Sequence, residues 1–155
     1  MREGYSITLE PVEDTFEELD PIYRKHYSEM TARLEGIGIV TSPYNPRTDR
    51  YIHASKAGGL LGFVLRFNGK AVGYSNIYLA LDMHNQDLIA QEDTIYVLPE
   101  HRNGVGKELV KQVLKELKGR GVKRLDVSAV TDLRVSKIWE RMGFKHSAEQ
   151  MTYLF

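Results

Sequence analysis

The sequence contains no cysteine, which excludes disulfides, thiolate metal sites and an acyl-enzyme formed on sulfur. It has no charge of either sign to spare. Lys and Arg number 21 against 21 Asp and Glu, so no global field draws nucleic acid or an anionic membrane. No stretch approaches the roughly 18 apolar residues of a membrane-spanning helix. Residues 1–10 alternate and carry acidic side chains, unlike a basic segment followed by an apolar one. The expectation is a cytoplasmic protein with neither a membrane nor a nucleic-acid partner. The basic residues Lys118, Arg120, Lys123 and Arg124 surround a helix-to-strand turn and read as a solvated rim. No internal repeat or low-complexity segment is visible, and 155 residues suit one domain, residues 1–155, with a real core.

What is present centres on the stretch from Asp93 to Lys118. A β-branched and aromatic run leads to Pro99, then to a loop holding Gly104 and Gly106. After it Val105, Leu109, Val110, Val113, Leu114 and Leu117 recur at the spacing of an amphipathic helix. Glycines at the start of a helix let a ligand approach backbone N–H groups that the first turn leaves unpaired, where the helix dipole favours an anion. The spacing predicts a phosphate cradle. It lacks the Lys-Ser/Thr close of a Walker loop and the three glycines of a dinucleotide fingerprint.

Elsewhere the patterns are local. Tyr5, Ile7 and Leu9 alternate with polar residues as in a half-buried strand ending at Pro11. Asp14 is placed to cap a short helix, and Asp20-Pro21 to start a second one running to about Leu34. Residues 36–49 read as a loop, with Thr48 or Asp49 capping a short helix closed by Gly58-Gly59. Leu60 to Phe67 and Lys70 to Leu79 flank Asn68-Gly69, the signature of a hairpin with a type I′ turn. A strand over Lys123 to Val130, a helix capped by Thr131 or Asp132, and a terminal hairpin from Lys145-His146 and Gln150 to Phe155 complete the chain. This order argues for an α+β (or α/β) domain on one twisted mixed sheet flanked by helices.

The run Ile95 to Arg102, the glycine pair, and Ile138-Trp139-Glu140-Arg141-Met142-Gly143-Phe144 together resemble the GNAT superfamily of N-acetyltransferases, in its short single-domain bacterial and phage form. The resemblance implies the GNAT fold and an acetyl-CoA-dependent transfer of an acetyl group to a primary amine, by direct attack on the thioester. It implies cofactor contacts from Tyr96, Val97, His101, Arg102, Asn103, Gly104, Val105, Gly106, Lys107, Asp132 and Trp139, with the oxyanion held by a backbone N–H near Tyr96 or Val97. It also implies substrate contacts from the His26-Tyr27-Ser28-Glu29 sequence, through His26, Tyr27 and Glu29; from the residues alone, His26 and Glu29 read as a helix-surface pair.

Two positions depart from the family pattern. His101 stands where the phosphate motif has Arg or Gln, with Arg102 one residue late. Trp139 stands where the family often has a Tyr that protonates the leaving thiolate, and an indole N–H is no practical acid. An acyl-CoA sensor or interaction module that has kept the fold without chemistry is the alternative reading.

For the general base the residues leave three candidates, Glu92, Asp93 and His84. The two carboxylates precede the cradle strand, and an imidazole is a side chain suited to accepting a proton near neutral pH. Alternation along a strand points Glu92 and Asp93 to opposite faces. No ligand pair among Asp82, His84, Asp87, Glu92 and Asp93 has a recognised metal spacing, so no metal is expected. Asp82, His84, Asp87 and Glu92, with His26, Glu29, Tyr27, Tyr44 and Tyr51, would favour a cationic amine acceptor. A homodimer is compatible with the sequence.

Overall fold

A computed structural model describes residues 1–155. It contains five strands and four helices: β1 (Tyr5–Leu9), α1 (Val12–Glu35), α2 (Thr48–Lys56), β2 (Leu60–Phe67), β3 (Lys70–Leu81), β4 (Leu88–Val97), α3 (Val105–Gly119), β5 (Leu125–Asp126) and α4 (Val135–Arg141), with a single 3-10 turn at Pro99–His101 before α3. Two units are distinguishable. One comprises Met1–Tyr23 and Asn45–Val127, the other Arg24–Tyr44 and Ser128–Phe155. No helix is long and apolar enough to cross a membrane.

The first unit holds a mixed sheet in the order β1-β2-β3-β4-β5. The first four strands are antiparallel neighbours and β5 lies parallel to β4. The β2–β3 turn is the expected one. Asn68 and Gly69 sit at φ 49 and 83 degrees, the left-handed pair that matches the twist of the strands they join.

Residues directly opposite in an antiparallel pair share a face, so the register sorts the side chains. On one face Leu61, Phe63, Ile77 and Ala90 pack with Leu109, Val113 and Leu117 of α3. Leu65 and Val72 meet Val105 at the start of that helix. Each such side chain, fully buried, contributes about 1.5–3 kcal/mol, which anchors α3 and with it the loop that begins it. Gly73 is required within this arrangement: a Cβ there would lie 2.7 Å from the Tyr96 carbonyl oxygen.

On the opposite face the packing is aromatic. Tyr74 and Tyr23 rings lie 4.5 Å apart, Tyr23 and Phe16 5.1 Å, Phe16 and Tyr51 6.1 Å, and Tyr51 stacks on Tyr78 at 6.5 Å. The N-terminal part of α1 and α2 are thereby held over β3.

Several expectations are corrected. The two helices expected around Asp14 and Asp20 are one, because Val12, Thr15, Leu19, Ile22 and Tyr23 form a continuous buried stripe through Pro21. Packing of that stripe outweighs the hydrogen bond that Pro21 cannot donate. No side chain caps α2; the Asp49 carboxylate instead pairs with Arg47 at 2.9 Å. The strand expected over Lys123 to Val130 pairs only at Leu125 and Asp126. Residues 145–155 form no strand, and Met151, Tyr153 and Phe155 are exposed. Two short strands without a sheet to join are not stable by themselves.

Candidate active site

The short β5 leaves the outer edge of β4 open. Ala90 donates across to the Arg124 carbonyl at 2.9 Å, and pairing with β5 ends at Gln91. Beyond that point no strand pairs with β4 on its outer side. Leu98 donates inward to the Val72 carbonyl at 2.9 Å, and backbone groups alternate along a strand. The N–H groups of Ile95 and Val97 therefore point to the open edge, and that of Tyr96 points to β3. Of the two oxyanion donors expected from sequence, Val97 has the outward orientation.

That edge runs straight into the cradle. Arg102 Nε donates to the Val97 carbonyl at 2.8 Å, and its guanidinium lies 5.1 Å from the Tyr96 ring centre. His101 turns the other way: its Nδ1 is 2.8 Å from the Tyr5 hydroxyl, which also accepts from Asn103 Nδ2 at 3.2 Å. The side chain at the motif's first position thus anchors the loop to β1, and Arg102 braces the strand end. Gly104 precedes α3 at φ 99 degrees, a left-handed conformation that glycine adopts without strain. Val105 N–H reaches Asn103 Oδ1 at 3.4 Å and Lys107 N–H the Gly104 carbonyl at 3.2 Å. A Cβ on Gly106 would meet nothing nearer than Val97 Cγ2 at 3.8 Å.

The structure separates the three base candidates. Asn76 pairs with Thr94 and Ile77 with Glu92, so Asp93 is the extra residue of a β-bulge. Glu92 shares the face of Ile77, on the α3 side. Asp93 is re-aimed to the aromatic side, where the Tyr51 hydroxyl donates to its Oδ2 at 3.1 Å. Asp93 is solvent-exposed, yet crowding on its protein side raises its pKa by desolvation, against the lowering effect of the Tyr51 hydrogen bond. Burial, then the Asp93 charge, pushes the Tyr51 phenol up, and the Tyr78 phenol rises for the same two reasons. An acid whose carboxylate is disfavoured is a better proton acceptor once ionised.

His84 lies elsewhere. It is exposed in the β3–β4 turn, and its backbone N–H donates to Asp82 Oδ1 at 2.8 Å. Even Leu88, where β4 begins, is roughly 17 Å of strand from Asp93. Asp82 is a tether: it is buried and pairs with Arg124 at 2.9 Å, fixing the turn to the start of β5. Its carboxyl is held low by the His84 N–H and by Arg124. The carboxylates and imidazoles expected to line one acceptor site are thus dispersed.

A cavity of about 610 Å³ is lined instead by Asp49, Arg50, His53 and Ala54 of α2 and by Tyr78. Tyr78 joins it to the Tyr51–Asp93 pair through their stacked rings. These α2 positions fall at i, i+1, i+4 and i+5, a helical face legible in sequence. The Tyr51 contact to Asp93, bridging distant residues, has no local signal.

In the second unit, His26 Nε2 is 3.1 Å from Thr131 Oγ1, and Tyr27 donates to the Ser42 carbonyl. Tyr27 and Tyr44 rings lie 5.5 Å apart, with Arg24 over Tyr44 at 4.7 Å. Glu29 is half-buried on the same helix. Asp132 Oδ1 accepts from the Arg134 N–H at 2.9 Å, starting the turn into α4. Trp139 is buried, donates Nε1–H to the Ser128 carbonyl at 3.3 Å and packs on Phe144 at 5.1 Å. Its N–H is already engaged.

Residues 13–144 match the family model described as the acetyltransferase (GNAT) family. No curated protein matches the sequence. Among solved structures, the chain is similar to a ribosomal-protein-alanine N-acetyltransferase from Brucella melitensis biovar Abortus 2308, at TM-score 0.71 and 18% identity over 97% of this chain and 99% of that one. It is similar to a GCN5-related N-acetyltransferase from Ralstonia eutropha JMP134, at TM-score 0.70 and 17% identity over 97% and 99%. An aminoglycoside N-acetyltransferase in complex with CoA aligns at TM-score 0.67 and 17% identity over 97% and 94%. At these identities the likeness is one of fold.

Proposed function

The chain belongs to the acetyltransferase (GNAT) family, and on that footing we propose that it transfers the acetyl group of acetyl-CoA to a primary amine by direct attack, with Asp93 as the base. The observation that carries this reading is the open edge of β4, whose outward Ile95 and Val97 N–H groups lead into the glycine-lined start of α3. An extended pantetheine arm is an amide chain, suited to pair with such an edge as an added strand does. The pyrophosphate then falls to the first turn of α3, where backbone donors and the helix dipole meet an anion.

Asp93 takes a proton from the acceptor ammonium. The freed amine attacks the thioester carbonyl carbon, the Val97 N–H stabilises the oxyanion, the C–N bond forms and the C–S bond breaks. The sulfur leaves with the bonding pair and takes the second proton shed by the nitrogen, giving an amide and free thiol; Asp93 returns its proton to water. The α2 cavity, bearing Asp49, Arg50 and His53, is the acceptor's place in this reading. Its mixed charge admits amines that also carry an anionic or polar group.

The test is a mass-spectrometric screen with acetyl-CoA and polyamines, aminoglycosides, amino acids and peptides, run on wild type and Asp93→Asn. Acetylated amine from the wild type and at least a hundredfold slower turnover by the variant are expected. Equal rates for the two would remove Asp93 from the mechanism, and no product from any amine would overturn the transfer itself.

A further inference from the structure

The α2 helix carries two things on adjacent faces. Asp49, Arg50, His53 and Ala54 look into the cavity, and Tyr51 reaches the Asp93 carboxylate 42 residues on in sequence. The bulge that singles out Asp93 removes it from the regular alternation of β4, so the ladder alone does not fix where its carboxylate points. The one side chain that hydrogen-bonds it is Tyr51, and Tyr51 is itself held, stacked on Tyr78 and packed on Phe16. The titratable groups facing Asp93 are phenols, Tyr51 from α2 and Tyr74 and Tyr78 from β3.

We propose that Tyr51 is a positioning residue for Asp93: its hydroxyl engages Oδ2 and so presents Oδ1 to the acceptor amine, which makes α2 the link between the acceptor cavity and the base. This deepens the acetyl-transfer reading and rests on it. With phenols rather than cations around the carboxylate, the Tyr51 O–H is the main group favouring its charged form. That agrees with the lowering effect of this hydrogen bond on the Asp93 carboxyl.

The experiment uses the full chain and Tyr51→Phe, which keeps the ring and its packing and removes only the hydroxyl. Thermal unfolding of the two proteins checks that the fold is retained. In the first arm, the Asp93 carboxyl carbon is titrated by NMR without substrate, with Asp93→Asn supplying the assignment. The midpoint is expected to move upward in Tyr51→Phe; an unchanged or lower midpoint overturns the proposal. In the second arm, kcat/KM is followed against pH with acetyl-CoA and whichever of spermidine, kanamycin or an alanine-terminated peptide the wild type acetylates. Tyr51→Phe is expected to lose tenfold or more at neutral pH, with the acid limb shifted upward and the KM for acetyl-CoA unchanged. An active wild type whose acid limb is indifferent to the hydroxyl overturns the positioning role and leaves the transfer reading standing. A wild type that acetylates none of these and no other amine of the screen, with the NMR midpoint shifted as expected, overturns the transfer reading and leaves the Tyr51–Asp93 coupling established.

Discussion

Arg66 and Glu10 meet in a two-pronged pair, Nε 2.9 Å from Oε1 and Nη2 2.8 Å from Oε2. The same guanidinium reaches Glu18 with Nη1 at 2.7 Å and Nη2 at 2.9 Å. One side chain of β2 therefore clamps the residue after β1 to α1. A planar guanidinium can serve two carboxylates in this way where an ammonium cannot.

Replacing Arg66 by Met should lower stability at pH 7 by about 1–2 kcal/mol, since Glu18 is half-exposed and the pairs are only partly desolvated. Hydrogen bonds from Arg66 lower the pKa of both Glu10 and Glu18. Their contribution is fully present above the unfolded carboxylate value near 4.3 and is lost as pH falls through the lower folded values. Urea unfolding at pH 7 and near pH 3 should show a large gap between wild type and variant at the first and a small one at the second. A gap that does not shrink would dissociate the clamp from its charge.

Asp93 behaves in the opposite sense. Its folded pKa is raised by desolvation, so its favourable contribution is complete below the unfolded value near 3.9 and is lost as pH rises through the folded one. Ionising Asp93 is therefore a small local cost. Asp93→Asn should leave the unfolding temperature at pH 7 equal to or slightly above that of wild type, because solvent screens an exposed carboxylate, and should change nothing near pH 3, while slowing turnover at least a hundredfold. A variant less stable than wild type at neutral pH would contradict this account.

Gly106 is a cleaner probe of the cradle than Gly104. Any side chain at Gly104 is strained by its positive φ, so lost binding there could reflect a distorted loop. A Cβ at Gly106 makes only ordinary contact, and most residues are better helix formers than glycine. Gly106→Val should unfold within a few degrees of wild type and bind acetyl-CoA at least tenfold more weakly by calorimetry. Unchanged affinity would remove the anion from the first turn of α3.

The Trp139 N–H donates to the Ser128 carbonyl. Trp139→Phe should cost about 1 kcal/mol in stability through that hydrogen bond and leave the rate at saturating substrate within a few fold. A large selective loss in kcat would assign the indole a part in the chemistry.

The sequence by itself determined what depends on neighbours along the chain. The Asn68-Gly69 turn and the α3 stripe from Val105 to Leu117 behind its glycine pair follow from backbone preference and periodicity over a few residues. The glycine-lined start of α3 was legible for that reason. What only the tertiary structure decided depends on strand pairing and packing between distant segments. Pro21 stays inside α1 because a buried stripe holds the helix on both sides of it. His101 became an anchor because β1 brings Tyr5 to it. Asp93 and Glu92 differ in surroundings through a one-residue bulge against β3 and a phenol from α2. A register shift leaves every local propensity unchanged while reversing which side chain faces which layer, and that is why two adjacent carboxylates could be told apart only in the folded sheet.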